Sequence, residues 1–419
     1  MDAIHITGGN PLCGRVTVHG AKNSALPLLA ATLLCRQGES RLENCPPLTD
    51  VGASLAILRR VGCRVSQEGD RVTVDAAGAL CGSIPDELMG RMRSSIVFLG
   101  AILARCGEAD ITYPGGCELG PRPIDLHLSA LRRMGAAVRE EHGRVICSAP
   151  DGLRGCEITL PFPSVGATEN ILLAAVTAQG KTILRHAARE PEIGDLCAFL
   201  NACGGHIEST ADGVLVVEGV AALTGVTHEV IPDRIEAATY MAAVAATGGS
   251  LTLDRVIPAH AAPVFPALEE AGCRIVSASS AITVEVEAPL RGLGTVRTMP
   301  YPGFPTDAGA PLMAAACVAN GTSVFVEGIF ENRYRIVDEL ARLGARIRVD
   351  GRVAVVEGAP LTGAPVTATD LRGGAALLVA GLAARGETVI TGLEHLDRGY
   401  VDIPAVLRRL GAEAERIRL

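Results

Sequence analysis

The amino-acid sequence predicts an α/β protein built from six copies of one repeat of about 70 residues, each with the order helix, strand, helix, strand, strand. Three observations support this fold class. One helix with a Leu-x-x-x-Gly-small ending recurs along the chain, a second apolar helix recurs about 25 residues before it, and hairpin sequences close the copies. Repeats of this kind bury their apolar faces only against one another, so we expect them to share a core.

Both recurring helices stop at a glycine, which ends a helix without strain because it adopts the left-handed conformation. The apolar helix that opens each copy stops at Gly38, Gly107, Gly180, Gly249, Gly321 or Gly386. The second helix stops at Gly62, Gly135, Gly204, Gly272, Gly344 or Gly411.

The closing hairpins show how the two chain ends are used. In GHIESTADGVLVVEG and ARIRVDGRVAVVEG, two strand-like runs flank Asp-Gly, whereas the sixth copy stops at AEAERIRL without its second strand. Residues 6–14, ITGGNPLCG, align with the segments that follow this strand in copies three and five. The N-terminus is therefore expected to complete the sixth copy. We predict one domain from residues 22–231, and a second from residues 1–21 with 232–419.

Composition limits the function. At 419 residues the chain is too long for one core, and its formal charge of −8 argues against a general nucleic-acid binder. Thirteen cysteines without CxxC or His-spaced pairs indicate buried thiols in a reduced compartment rather than disulfides or zinc sites. No signal peptide or bilayer-length apolar stretch is present, so we expect a cytoplasmic protein with no membrane partner.

The starts of the opening helices carry the first indication of a ligand. They read AKNSA, RMRSS, PSVGATEN, PDRIEA, PTDAG and TDLRGG. Ser, Asp and Asn are ordinary helix caps, which explains any one position. A cation there is unfavourable beside the positive end of the helix dipole, yet Lys22, Arg93, Arg234 and Arg372 lie at such starts. They indicate a shared anion such as phosphate or carboxylate.

A second unusual segment is TYPGGCELGPRPIDLH, residues 112–127. Its glycines and prolines exclude regular structure, so it is expected to be an exposed loop that presents the Cys117 thiol. Arg122 and the following helix start favour the thiolate. An unreactive exposed cysteine is the alternative.

Ten ordered motifs along the whole chain resemble those of the UDP-N-acetylglucosamine 1-carboxyvinyltransferase family: GAKNSALP, MRSS, PGGCELGPRPIDLH, PSVGATEN, AAREPEI, IPDRIEA, FPTD, FENRY, ATDLR and HLDRGY. The resemblance implies the family's two-domain inside-out α/β barrel, which agrees with the six copies. It also implies transfer of the enolpyruvyl group of phosphoenolpyruvate to the 3-hydroxyl of UDP-N-acetylglucosamine, with release of phosphate. This is the first committed step of peptidoglycan synthesis and needs no metal or other cofactor.

Roles for individual residues follow from the same resemblance. Asp307 is expected to be the base on the sugar hydroxyl and Cys117 the general acid, the lid thiol and the target of fosfomycin, with Lys22 and Arg398 also catalytic. The phosphoenolpyruvate positions are Lys22, Arg93, Arg122, Arg372 and Arg398. The UDP-N-acetylglucosamine positions are Asn23, Arg93, Arg122, Pro123, Ile124, Asp125, Leu126, His127, Ser164, Val165, Gly166, Asp307 and Ile329. Supporting ion pairs are expected from Glu190, Arg333 and Asp370.

The sequence departs from the family at two places. AGAP, with Gly309 and Pro311, replaces a Gln-containing helix start after Asp307, so a later helix start that moves Asp307 is an alternative. Phe162 stands where some members have a Lys near the uridine. Other functions left open are a shikimate-phosphate enolpyruvyl transferase and a weakly active or non-catalytic nucleotide-sugar-binding paralogue. A nucleic-acid-processing relative is disfavoured, and the oligomeric state stays open, with a monomer among the possibilities.

Overall fold

A computed structural model describes residues 2–115, 124–210 and 212–419. The chain opens with β1 (Asp2–Gly8) and β2 (Leu12–Thr17). Two compact units follow from the contacts within the chain. The first unit lies between Gly20 and Ile231 and holds repeats one to three, and the second combines the residues up to His19 with Pro232–Leu419 and holds repeats four to six.

The helices and strands of the first unit are taken here in chain order. Repeat one contains α1 (Lys22–Ala31), a 3-10 turn (Thr32–Leu34), β3 (Cys35–Gln37), β4 (Ser40–Glu43), α2 (Thr49–Val61), β5 (Arg64–Glu68) and β6 (Arg71–Asp75). Repeat two contains α3 (Asp86–Met89), a 3-10 helix (Arg93–Val97), α4 (Phe98–Cys106), β7 (Glu108–Thr112), α5 (Asp125–Arg133), β8 (Ala137–Glu141), β9 (Arg144–Ser148) and β10 (Glu157–Thr159). Repeat three contains α6 (Val165–Ala175), β11 (Lys181–Arg185), α7 (Pro191–Ala202), β12 (His206–Ser209), β13 (Leu215–Glu218), β14 (Leu223–Thr224) and β15 (Thr227–Glu229).

The second unit repeats the same order. Repeat four contains α8 (Arg234–Thr247), β16 (Gly249–Asp254), α9 (Pro258–Ala261), a 3-10 turn (Ala262–Val264), α10 (Phe265–Glu270), β17 (Arg274–Ser277), β18 (Ala281–Val286) and β19 (Gly294–Arg297). Repeat five contains α11 (Thr306–Ala316), β20 (Thr322–Val326), a 3-10 helix (Arg333–Ile336), α12 (Val337–Arg342), β21 (Arg346–Asp350), β22 (Val353–Glu357) and β23 (Pro365–Thr367). Repeat six contains α13 (Leu371–Ala383), β24 (Gly386–Thr391), α14 (Leu393–Leu396), α15 (Ile403–Arg409) and β25 (Glu413–Arg418).

The glycines that predicted the repeat have the expected backbone conformation. All six glycines after the second helices have φ between 93° and 114°. The six glycines after the opening helices have φ between 71° and 117°. Side chains with a Cβ rarely adopt these values. The glycines of the second series lie just after their helices, whereas most opening helices stop short of their glycines: Gly38 follows β3, and Gly249 and Gly386 begin β16 and β24. Both series recur in all six repeats, so the sixfold prediction is confirmed.

The opening helices form the core of each unit. In the second unit α8, α11 and α13 contact one another, and nearly all their residues after the first turn are buried. In the first unit α1, α4 and α6 also contact one another, and α1 and α6 are buried to the same extent. A helix that is apolar on every side has no solvent face, which explains why Ala, Leu and Gly fill these helices. The sheets lie outside them, as in the predicted inside-out arrangement.

The sheets close each unit into a ring of three repeats. The strand after an opening helix pairs in parallel with the last strand of another repeat: β11 with β10 and β4 with β15 in the first unit, and β20 with β19, β24 with β23 and β16 with β2 in the second. In repeat two a parallel bridge between Ser83 and Asp110 takes this place. Because β15 of repeat three pairs with β4 of repeat one, the first and last repeats of the first unit meet.

The N-terminal strands belong to this pattern. β1 lies between β24 and β25 and is antiparallel to both, which is the position of β22 between β20 and β21 in repeat five. β2 then supplies the parallel strand for β16 of repeat four. In the described residues, no helix is both long and apolar enough to cross a membrane.

Candidate active site

Asp307 lies in the first turn of α11, which begins at Thr306 despite the AGAP sequence. Pro311 is accommodated inside the helix, and the alternative of a later helix start is therefore wrong. A proline has no N–H for the carbonyl four residues earlier, here that of Asp307. Pro27 in α1 has the same relation to Asn23, so two sequence-predicted site residues share one local arrangement.

Two arginines hold the Asp307 carboxylate. Arg333 Nη2 donates to Asp307 Oδ1, and Arg372 Nη2 donates to Oδ2 at 3.3 Å. The arginine side chains are 3% and 6% exposed, whereas that of Asp307 is 28% exposed. Two buried cations therefore orient the carboxylate, and the Asp307 side chain stays partly exposed. Arg333, which the resemblance assigns to a supporting ion pair, makes its contact with Asp307.

Arg372 is fixed by a second set of contacts. Its Nη1 donates to the Tyr400 hydroxyl at 3.4 Å, and that hydroxyl lies 2.8 Å from Thr239 Oγ1 on α8. Burial acts to lower the pKa of Arg372, but Asp307, Tyr400 and Asp233 raise it above its ordinary value, so the side chain stays charged.

Asp370, predicted to form an ion pair, serves as a helix cap. Its Oδ1 accepts from the backbone N–H groups of Arg372 and Gly373, both at 3.0 Å. Two further predicted residues lie in the second unit, where Ile329 is exposed and Arg398 is half-buried.

Glu327 organises this region and was missed by the sequence analysis. Its buried carboxylate accepts from Thr298 Oγ1 at 3.0 Å, from Thr306 Oγ1 at 2.9 Å, and from the backbone N–H groups of Ile329 and Phe330 at 2.7 and 3.0 Å. Thr306 Oγ1 in turn accepts from Arg333 Nε at 3.2 Å. Glu327 thus connects the predicted residue Ile329 to the arginine that holds Asp307.

In the first unit, Lys22 opens α1 and its Nζ donates to Asp50 Oδ2 at 2.9 Å. The side chains are only 10% and 4% exposed. A buried cation at the positive end of a helix is costly, and a buried carboxylate offsets part of that cost. Asn23 follows Lys22 and is half-buried. This pairing explains how the unfavourable helix start predicted from AKNSA persists in the fold.

His127 is buried and has a defined tautomer. Asn170 Oδ1 accepts from the Gly100 N–H at 2.7 Å, which orients the amide so that Nδ2 donates to His127 Nδ1 at 2.9 Å. The ring proton therefore resides on Nε2. Burial, followed by the charge of Arg93, lowers the pKa of His127 to about 4. A Cβ at Gly166 would lie 3.2 Å from the ring, so a larger residue there would require the histidine to shift slightly.

The other predicted residues of the first unit cluster at helix starts. Ser164 caps α6, its Oγ accepting from the Ala167 N–H at 3.4 Å, and Val165 and Gly166 form the first turn. Ile124 is buried at the start of α5, Asp125 is exposed and Leu126 is half-buried. Arg93 donates to the Pro114 carbonyl at 3.2 Å.

Glu190 precedes α7 and accepts from the Arg189 N–H at 3.1 Å. Its charge and that of Glu192 act on buried Glu169, whose pKa is raised well above its ordinary range, first by burial and then by these two carboxylates.

Cys117, Arg122 and Pro123 lie outside the described residues. Phe162, the second departure from the family, is 58% exposed. Among the residues that the structure describes, no three His, Cys, Asp or Glu side chains are arranged to hold a metal ion.

Comparison with known proteins gives consistent results. Residues 6–407 match the family model for EPSP synthase (3-phosphoshikimate 1-carboxyvinyltransferase). The chain is 46% identical to UDP-N-acetylglucosamine 1-carboxyvinyltransferase 2 of Caldanaerobacter subterraneus subsp. tengcongensis, with 100% of both chains covered. It is 48% identical to UDP-N-acetylglucosamine 1-carboxyvinyltransferase 1 of Symbiobacterium thermophilum, covering 98% of this chain and 94% of the relative.

Solved structures give the same fold. The enolpyruvyl transferase NikO from Streptomyces tendae superposes with a TM-score of 0.90 at 28% identity, covering 99% of this chain and 98% of that one. EPSP synthase from Acinetobacter baumannii superposes with a TM-score of 0.77 at 22% identity over 100% of both chains, which shows the shared fold alone.

Proposed function

This chain belongs to the UDP-N-acetylglucosamine 1-carboxyvinyltransferase family, and from that premise we propose that it transfers the enolpyruvyl group of phosphoenolpyruvate to the 3-hydroxyl of UDP-N-acetylglucosamine and releases phosphate. The observation that carries the proposal is the placement of Asp307. Its carboxylate accepts hydrogen bonds from Arg333 and Arg372, and its side chain is 28% exposed. It lies in the first turn of α11, one of the three helices at the core of the unit. The reaction belongs to peptidoglycan synthesis in the cytoplasm, with the two substrates as partners.

The proposed mechanism is addition followed by elimination. The Asp307 carboxylate takes the proton of the sugar hydroxyl as the hydroxyl oxygen bonds to the central carbon of phosphoenolpyruvate. A general acid protonates the methylene carbon in the same addition. A base then removes a proton from the methyl carbon of the tetrahedral ketal as the C–O bond to phosphate breaks, which restores the double bond and releases phosphate. The resemblance assigns the acid to Cys117, which lies outside the described residues.

The proposed cations bind the negatively charged groups of the substrates. Lys22, Arg93, Arg122, Arg372 and Arg398 are the proposed set for phosphoenolpyruvate. Burial strengthens such contacts because little water screens them. The electrostatic arrangement at Arg372 supports this role, since its charge is retained although the side chain is buried. Asn23, His127 and the start of α6 are proposed to bind the nucleotide sugar.

The test is phosphate release by the purified chain from phosphoenolpyruvate with each of two acceptors in parallel reactions. Release with UDP-N-acetylglucosamine and none with shikimate 3-phosphate is expected. The reverse would make the chain a shikimate-phosphate enolpyruvyl transferase. Binding of the nucleotide sugar, measured by calorimetry, without turnover would identify a non-catalytic paralogue.

A further inference from the structure

Two buried thiols of the first unit lie in contact. The Sγ atoms of Cys35 and Cys203 are 3.7 Å apart, and both side chains are at most 3% exposed. All twelve cysteines within the described ranges are free. A disulfide has an S–S distance of about 2.05 Å, so bond formation needs the two sulfurs to approach each other by roughly 1.7 Å.

Backbone pairing holds the two cysteines next to each other. Cys35 opens β3, and Cys203 caps the C-terminus of α7. The short strand β14 lies beside both: Leu223 pairs with Cys35, and the Thr224 N–H donates to the Cys203 carbonyl at 2.9 Å. Cys35 belongs to repeat one and Cys203 to repeat three. The two thiols therefore meet where the ring of the first unit closes, next to the pairing of β15 with β4.

Electrostatics give the two sulfurs different roles. The hydrogen bond between the two sulfurs lowers the pKa of Cys35 against the effect of burial, with the charge of Arg105 acting in the same direction. The pKa of Cys203 is raised, first by the same hydrogen bond. Burial alone gives the opposite result at Cys197, whose pKa it raises to about 12. The lowered pKa of Cys35 favours it as the attacking thiol, with Cys203 beside it at 3.7 Å as the resolving thiol.

We propose that Cys35 and Cys203 form a redox pair, which a peroxide converts into a disulfide that locks the ring of the first unit. The Cys35 thiolate attacks a peroxide oxygen, the O–O bond breaks, hydroxide leaves and a sulfenic acid forms. The Cys203 sulfur then attacks the Cys35 sulfur, and its proton leaves with the sulfenic hydroxyl as water. The two sulfurs lose two electrons, and the peroxide is reduced to hydroxide and water.

The bond is expected to stabilise the protein strongly because it connects residues 168 positions apart. A disulfide restricts the unfolded chain more as the enclosed loop grows, so a loop of this length lies near the upper end of the usual effect. For a unit of this size we expect the midpoint of thermal unfolding to rise by roughly 5 to 15 °C.

The experiment uses the full chain treated with hydrogen peroxide, followed by alkylation of free thiols, non-reducing peptide mapping and thermal unfolding. Oxidation of the exposed Cys13 shows that the dose was sufficient. The wild type is expected to yield a linked Cys35–Cys203 peptide and a raised midpoint that dithiothreitol returns to the starting value. Cys197→Ala, a buried cysteine on the same helix α7, is the matched control and should behave like the wild type.

Cys35→Ala should yield neither the linked peptide nor the raised midpoint. The peptide map of the wild type decides the question even when that variant folds poorly. Recovery of Cys35 and Cys203 as separately alkylated thiols, or as sulfinic acids, after Cys13 has been oxidised would overturn the proposal. A linked peptide that joins either cysteine to a different partner would overturn it as well.

Discussion

Replacing Glu327 by Gln tests how the site is built. The buried carboxylate accepts four hydrogen bonds: Oε1 receives those of Thr298, Ile329 and Phe330, and Oε2 receives that of Thr306. A Gln amide oxygen can keep the three bonds on the Oε1 side. Its NH2 group would face the Thr306 hydroxyl, which must turn and can no longer donate.

The magnitude follows from these contacts. One charge-assisted bond is lost and three become bonds to a neutral acceptor, for a loss of about 1 to 3 kcal/mol in the free energy of unfolding. Because Thr306 Oγ1 also accepts from Arg333 Nε, the disturbance reaches the arginine that holds Asp307. A loss of about 1.4 kcal/mol in transition-state stabilisation lowers kcat roughly tenfold. Glu327→Ala removes all four bonds and is expected to cost about 3 to 5 kcal/mol of stability.

The assay combines urea unfolding with steady-state phosphate release. Glu331→Gln is the matched control, since its side chain is 65% exposed four positions away. That variant should change neither stability nor kcat measurably. If Glu327→Gln unfolded at the wild-type urea concentration and kept the wild-type kcat, the carboxylate would not organise the site and the reasoning would fail.

Three other predictions concern single residues. Lys22→Ala should weaken phosphoenolpyruvate binding roughly ten- to a hundredfold and lower stability, because it removes a buried cation paired with Asp50; wild-type binding in a titration would contradict this. Gly309→Ala should raise the free energy of unfolding by about 0.5 to 1 kcal/mol, because alanine favours the helix and an added Cβ meets only Thr298 Cγ2, at 3.9 Å. A variant that unfolds at a lower urea concentration than the wild type would contradict this. The pKa of His127 is about 4 in the folded protein and near 6.5 in the unfolded chain. Between about pH 6.5 and pH 4 the unfolded chain therefore binds a proton that the folded protein does not, so the free energy of unfolding falls as the pH drops below 6.5. Wild-type protein should lose about 2 kcal/mol between pH 7.5 and pH 5 relative to His127→Gln, and equal pH dependence of the two proteins would refute the assignment.

The sixfold repeat was predictable because its signals are local. A helix that ends in a left-handed glycine and a hairpin with Asp-Gly at its turn are each encoded within a few residues, and their spacing reveals the repeat. The cations at helix starts were predictable for the same reason. Lys22 and Arg372 violate a local rule, and violations of local rules concentrate at functional sites.

Contacts between distant repeats could not be predicted from the sequence. Glu327 follows β20, a strand of unremarkable composition. Its role depends on Thr298 and Thr306, which only the pairing of β19 with β20 and the packing of α11 bring near it. The contact between Cys35 and Cys203 likewise depends on closure of a ring across 168 positions. Pro311 suggested a later start of α11, which is wrong. The packing of α11 against α8 and α13 outweighs the local cost of a proline in the helix.

Product analysis with wild-type protein and Asp307→Ala tests the central claim most directly. Each is incubated with phosphoenolpyruvate and UDP-N-acetylglucosamine, and the nucleotide sugar is identified by mass spectrometry and proton NMR. We expect the wild type to form the 3-O-enolpyruvyl ether with one phosphate released per sugar. Asp307→Ala should bind the nucleotide sugar yet form product at least about a hundredfold more slowly. Unmodified sugar with the wild type, or a wild-type rate with Asp307→Ala, would contradict the account.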